Sequence, residues 1–269
     1  MRVALCQISV ERDKKRNLRK VLEIIEDTDA DLLVFPEYLM GTLDGALNKD
    51  YVDSISEPLS GEFVSSIIDK SKETGKSLVF TTFLREGSKV YNTSLLVEQG
   101  KLRAVYRKIH LFDAFGYKES SLFASGDSIV TCNFKEFKIG LAICFDLRFP
   151  ELFRIMAYYG TNLFIIPSAW YRGSHKIHQW YALALCRAHE NGAWLVAVDQ
   201  IGKVFIGHSL VSSPLGYIYV DLGERERIGM TEITLDEVKE ARKLVPVLKL
   251  SKKRFYERYY QQLITYKGQ

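Results

Sequence analysis

No stretch of this chain approaches the ~20 apolar residues that a membrane-spanning helix needs, so a helical membrane anchor is not expected. The first residues, Met1-Arg2-Val3-Ala4-Leu5, run straight into a strand-like segment. They lack the succession of basic region, long apolar core and small-residue cleavage site that a secretory signal requires, and the expectation is a cytoplasmic protein. Paired cysteines are also missing. Cys6, Cys132, Cys144 and Cys186 stand far apart and none belongs to a C-x-x-C pair, so neither a disulfide framework nor a structural zinc site is expected. The five histidines are equally dispersed. His175 and His178 are three apart, a spacing that suits a helix surface as well as a metal, and no metal is expected. Basic residues gather at Lys14-Lys15-Arg16 and between Lys239 and Arg258, but Asp13, Glu240 and Glu257 interleave with them. Solvated helix faces account for both runs, and a net charge of +4 without a recognisable nucleic-acid module gives no nucleic-acid partner.

What is present is ordinary globular material: 269 residues, 47% hydrophobic and 26% charged, with no low-complexity linker to mark a boundary. The expectation is a single α/β domain over 1–269, with 245–269 as a C-terminal tail. Strands and helices alternate. Residues 2–8 read as a buried strand, and 16–27 set Leu18, Val21, Leu22 and Ile25 on one helical face. The apolar run at 31–38 is cut by Pro36, and a helix at 61–74 ends at Gly75 before a strand at 76–83. A hairpin follows, with 90–97 and 102–109 flanking the turn Glu98-Gln99-Gly100-Lys101. Residues 137–143 form a strand running into Cys144, and Pro150 opens a helix. A strand at 161–170 leads to a helix over 176–190 with Ile177, Trp180, Tyr181, Ala184 and Ala188 inward. Four further strands and helices near 235–243 and 251–263 complete the chain. DLLVFPEY and NLFIIPSAW echo one another as apolar runs ended by Pro and a polar turn. Two β-rich halves facing each other would produce such an echo, as would coincidence.

Three residues at strand ends invite chemistry. Cys144 closes an apolar strand and precedes a polar turn, a context that presents a nucleophile, although a small buried hydrophobe is the blander reading. A free thiol with a pKa near ~8.5 needs a base or a nearby cation to react at neutral pH. Glu37, directly after LLVFP, stands where a buried strand delivers a carboxylate whose desolvation would suit a general base. Lys108, in YRKIHLFD, is either a snorkelling surface cation or a group that stabilises a thiolate and then an oxyanion.

Together the segments LLVFPEY, YRKIHLFD and GLAICFDLRFPEL resemble, in order and rough separation, the three signature blocks of the nitrilase, or carbon–nitrogen hydrolase, superfamily. KESSLFASGD, IIPSAW, CRAHENGAWLVAVDQ and GHSLVSSPLGYI extend the likeness from the first strand to the final tyrosine-rich helix. The resemblance implies a four-layer α-β-β-α sandwich that pairs into an eight-layer α-β-β-α-α-β-β-α dimer and needs no cofactor. It implies a catalytic triad in which Glu37 takes the thiol proton of Cys144, while Lys108 and the backbone N–H of Phe145 hold the oxyanion. Glu119 falls where the family has an additional glutamate, although a loop-capping role fits it nearly as well. Arg148 matches a position where similar proteins bind a substrate carboxylate; pairing with Glu151 or a place at a dimer interface are its alternatives. Tyr38, Trp170 and Tyr171 are further pocket candidates, with core or rim packing as the alternative. The CFDLRFPEL block is most similar to that of the ω-amidases and deaminated-glutathione amidases, which implies a small carboxylate-bearing amide as substrate. Leu147 departs from the adjacent arginines of the carbamoylases. A nitrilase, a carbamoylase and a catalytically silent interaction protein stand as alternatives. Arg187 and Glu190 are expected to form an ion pair near the site, and the aromatic tail to reach a partner subunit.

Overall fold

The structure, a computed structural model, describes residues 1–265. Residues 266–269 of the expected tail lie outside the described residues. The chain begins with β1 (Arg2–Gln7), whose alternation sends Val3 and Leu5 to one apolar cluster and Ala4 and Cys6 to another. Helix α1 (Lys14–Asp27) starts where Asp13 accepts the amides of Lys15 and Arg16, and buries Leu18, Val21 and Ile25. After β2 (Leu32–Val34) come α2 (Lys49–Ile55), capped by Asn48, and α3 (Glu62–Thr74), stopped by Gly75 in the left-handed conformation. Then follow β3 (Ser77–Glu86), β4 (Lys89–Glu98), β5 (Lys101–Arg107) and a small hairpin of β6 (Asp113–Ala114) and β7 (Tyr117–Lys118).

The second half repeats the design with β8 (Thr131–Phe134), β9 (Phe137–Leu141), α4 (Pro150–Tyr158), β10 (Leu163–Ser168) and α5 (Lys176–His189). β11 (Trp194–Asp199), β12 (Leu210–Ser212) and β13 (Ile218–Asp221) complete its sheet. β14 (Arg227–Glu232) returns to the first, before α6 (Leu235–Leu244), α7 (Val247–Leu250) and α8 (Lys253–Thr265).

The sheets have the orders β14-β1-β2-β3-β4-β5 and β13-β12-β11-β10-β9-β8. In each, three parallel strands (β1, β2, β3 and β9, β10, β11) are flanked by one antiparallel strand on one side and two on the other. β2 and β10 therefore occupy equivalent central positions, and these are the two strands of the sequence echo. The sheets face one another through residues such as Val3, Leu5, Val34 and Val79 against Ile139, Leu141 and Ile165. α1 and α3 cover the outer face of the first sheet, and α4 and α5 that of the second. This is the four-layer α-β-β-α sandwich expected.

Four segments went unread in the sequence: α2, β8, the β6–β7 hairpin and α7, all too short to show a period. No helix among the described residues is long and apolar enough to cross a membrane. Leu248 of the tail packs on the core, while α8 leaves Phe255, Tyr256, Tyr259, Tyr260 and Leu263 exposed.

Candidate active site

The two central strands end side by side, and their loops are tied together: the Glu37 amide donates to the Ser168 carbonyl at 3.1 Å. The Glu37 turn is pinned from three more directions. Gln200 Nε2 donates to the Glu37 carbonyl (2.7 Å), Thr81 Oγ1 to the Pro36 carbonyl (3.0 Å), and the Leu39 amide to Thr81 Oγ1 (3.2 Å). That network holds Tyr38 at φ 57°, a left-handed backbone rare for a bulky residue. Cys144 sits at φ 44° at the head of a short 3₁₀ turn, Cys144–Arg148, that begins as β9 ends. Two such strained residues at one place are a mark of functional sites, where the surrounding structure overrides local preference.

Asp146 holds the nucleophile turn. Its carboxylate accepts the Ile143 amide (2.8 Å), the Tyr106 hydroxyl (2.7 Å) and the His110 amide (3.1 Å), with His110 Nδ1 at 2.7 Å. The Asp146 amide donates to the Ile143 carbonyl at 3.0 Å as the first internal bond of the turn, so the Phe145 amide precedes it and is left for another acceptor. The same residue thereby ties the Cys144 turn to the segment carrying Lys108.

Lys108 is buried between two carboxylates, with Nζ at 2.8 Å from Glu37 Oε1 and 2.9 Å from Glu119 Oε2. Asn92 Nδ2 bridges the same two acids at 2.7 and 3.1 Å. Tyr38 donates its hydroxyl to Glu119 Oε1 (3.1 Å), the Phe112 amide reaches Glu119 Oε2 (2.6 Å), and the Ala169 amide reaches Glu37 Oε2 (2.9 Å). Burial would push the Lys108 ammonium down, but Glu119 and Glu37 outweigh it and lift it well above its ordinary value. Burial raises Glu37 above the usual carboxylate range, opposed by Lys108 and reinforced by Glu119. Burial also raises the Cys144 thiol, with the Glu37 charge adding to the effect and Lys108 opposing it. Both shifts favour the protonated forms, so the thiol is held back from ionising and Glu37 is made more basic than an ordinary carboxylate.

Glu37, Tyr38, Lys108, Cys144, Arg148 and Trp170 line one recess together with Phe112, Ala169, Tyr171 and Lys176. Glu119 lies just behind it and Phe145 beside it, packed edge-on against Phe112. Arg148 does not pair with Glu151. Its guanidinium lies 4.1 Å from the Trp170 ring centre and 5.1 Å from that of Phe145, and Nη2 donates to Gln179 at 3.2 Å. The Trp170 backbone is fixed by buried Asp199, which accepts its amide at 2.6 Å. Leu147 faces the core, away from the recess. Arg187 and Glu190 pair at 2.9 Å, and Arg187 Nε also donates to the Leu147 carbonyl at 2.9 Å, joining α5 to the nucleophile turn.

Asn92 and Lys176 were missed in the sequence, though each left a trace. Asn is a poor strand former yet stands mid-strand in β4, and Lys176 opens α5, where a cation opposes the helix dipole. Among the described residues no group of three or more His, Cys, Asp or Glu side chains is arranged to hold a metal ion.

The sequence model of the family described as carbon-nitrogen hydrolase matches residues 2–243. The chain is 31% identical over 224 residues to the deaminated glutathione amidase of Escherichia coli O157:H7, covering 82% of this chain and 85% of that one. It is 30% identical over 270 residues to the omega-amidase NIT2 of Mus musculus, covering 95% and 96%. The solved structure of Saccharomyces cerevisiae Nit3, a member of branch 10 of the nitrilase superfamily, superposes with a TM-score of 0.81 at 28% identity, covering 94% of this chain and 96% of that one.

Proposed function

The chain belongs to the carbon–nitrogen hydrolase family, and from that premise we propose that it is a thiol amidase cleaving the amide of a small carboxylate-bearing substrate. The observation that carries this reading is the recess itself, where Cys144 shares a wall with the Glu37–Lys108 pair and with Arg148.

Glu37, kept basic by burial, takes the proton of the Cys144 thiol as sulfur attacks the amide carbon. The oxyanion that forms is met by the Lys108 ammonium and the Phe145 amide. Collapse breaks the C–N bond, and the amine leaves as ammonia with the proton from Glu37. Water then gives a proton to Glu37 and attacks the thioester carbon; the C–S bond breaks, the acid departs, and Glu37 returns the proton to sulfur to restore the thiol. Glu119, sharing Lys108 and Asn92 with Glu37, orients the ammonium and the base throughout. Arg148 receives the substrate carboxylate, which suits a guanidinium that among the described residues hydrogen-bonds only to neutral Gln179. Relatives named as deaminated glutathione amidase and omega-amidase support an amide over a nitrile or a carbamoyl amino acid, and no cofactor enters the scheme.

The exposed aromatic face of α8 supports a homodimer in which each tail packs on the other subunit. Light scattering giving the mass of one chain would remove that part. The main test is ammonia release from α-ketoglutaramate, succinamate and deaminated glutathione by the wild type and by Cys144→Ala. Turnover that depends on Cys144 is expected. Release from a nitrile or carbamoyl amino acid alone would replace the amidase reading with one of its rivals.

A further inference from the structure

Two lysines of this chain are buried in the same recess, and they are treated in opposite ways. Lys108 has two carboxylates within 2.9 Å. Lys176 is only 8% exposed, although residues 172–175 before it are all exposed, and among the described residues it makes no ion pair. Its neighbours are rings: Nζ lies 3.5 Å from the Phe115 centroid, 5.7 Å from that of Phe112 and 6.0 Å from that of Trp170. Arg148 stands over the same Trp170 at 4.1 Å, also without an acid.

Placing one long cation in such a setting costs free energy, and placing a second beside it adds repulsion. Burial and the charge of Arg148 both push the Lys176 ammonium below its ordinary value. Lys176 also opens α5, the helix end least favourable to positive charge. Aromatic faces recover only part of these costs. An incoming anion would act against all of them at once.

We propose that Lys176 is a specificity-determining residue, forming with Arg148 a two-cation clamp that takes the substrate carboxylate at the mouth of the Cys144 recess. The inference rests on the amidase reading above and adds to it a second cation for the substrate carboxylate, with the anionic end at the clamp and the amide at the thiol. The two cations divide the task. Arg148 offers a planar fork to the two carboxylate oxygens, and Lys176 supplies a point charge from α5. Phe115, at the tip of the β6–β7 hairpin, is 72% exposed yet covers the ammonium, so it shields the ion pair from water once the substrate is in place.

The test uses the full chain with Lys176→Met and Lys176→Arg, after matched melting curves. Succinamate is compared with butyramide, an amide of the same length without the charge. Lys176→Met is expected to raise the KM for succinamate about ten- to hundredfold with a smaller change in kcat, and to harm butyramide at least about tenfold less. Lys176→Arg should recover succinamate KM to within about threefold. Calorimetric titration of Cys144→Ala with succinamate should weaken in the same ratio when Lys176→Met is added. Equal losses on both amides, or succinamate binding indifferent to Lys176, would overturn the clamp. Should the wild type hydrolyse neither amide, the titration still decides: binding that needs Lys176 keeps the clamp and removes the hydrolysis reading. Rapid butyramide turnover with no succinamate binding does the reverse.

Discussion

At the floor of the recess, Lys108 meets Glu37 and Glu119, Asn92 bridges the two acids, and Tyr38 and two backbone amides occupy further carboxylate positions. At the rim, Arg148 and Lys176 face aromatic rings and among the described residues have no carboxylate partner. Both regions bury charge, but among the described residues only the floor satisfies it. A group that must hold a fixed geometry through bond-making is built into a closed network. On the proposed clamp, a group that binds a transient anion is left incomplete, so that the ligand completes it.

Breaking the floor should have the largest effect. On the proposed mechanism Cys144→Ala removes the nucleophile and Glu37→Gln the base, and each is expected to lower turnover by on the order of 10⁴-fold or more, read as ammonia release on protein with an unchanged far-ultraviolet dichroism spectrum. Glu37→Gln retaining a tenth of wild-type turnover would dissolve the distinction between floor and rim. At the rim the loss should be selective instead. Arg148→Met is expected to raise KM for an anionic amide by about ten- to hundredfold, with kcat falling less. A loss confined to kcat would place Arg148 among the reacting groups.

The acid limb of the pH profile probes how tightly the floor is coupled. The proposed mechanism needs Glu37 ionised, and burial together with the Glu119 charge raises its pKa, against Lys108. Turnover should therefore fall on acidification while the pH is still above the ordinary carboxylate range. Glu119→Gln deletes one of the raising influences, so the limb should move toward lower pH, with turnover reduced about tenfold or more through loss of orientation. A limb that stays in place, measured as kcat/KM against pH, would mean that the Glu119 charge does not act on Glu37.

The same contrast explains what could be read from the sequence. Glu37, Lys108 and Cys144 each end or directly follow an apolar strand, so the pattern marks where they emerge, and their blocks resemble a family. The repeated strand–Pro–turn pattern at β2 and β10 reflects two sheets with matching strand order, whose central loops meet. Asn92 and Lys176 were not legible as site residues, because their roles depend on what is opposite them in space. Asn92 lies one strand pairing away from the Lys108 segment, and Lys176 acquires meaning only when Arg148 shares Trp170 with it. Nothing in a linear pattern reports that a cation has no partner.

Arg187 tests the comparison from outside the recess, where the smallest catalytic effect is expected. It is buried, donates to the Leu147 carbonyl and pairs with Glu190, so it braces the nucleophile turn without touching the pocket lining. Arg187→Ala leaves that carbonyl without its guanidinium partner, at a cost of about 1–3 kcal/mol, and each kcal/mol should lower the melting temperature by roughly 2–4 °C in a chain of this size. Because Asp146 independently holds the turn through Ile143, Tyr106 and His110, kcat per folded molecule should drop only a few-fold. Thermal melts paired with kcat measured well below the transition separate the two quantities. An Arg187→Ala protein with a wild-type melting temperature and no activity would show that the charged network of the floor extends through the turn to α5, and that its boundary has been drawn too tightly around Lys108.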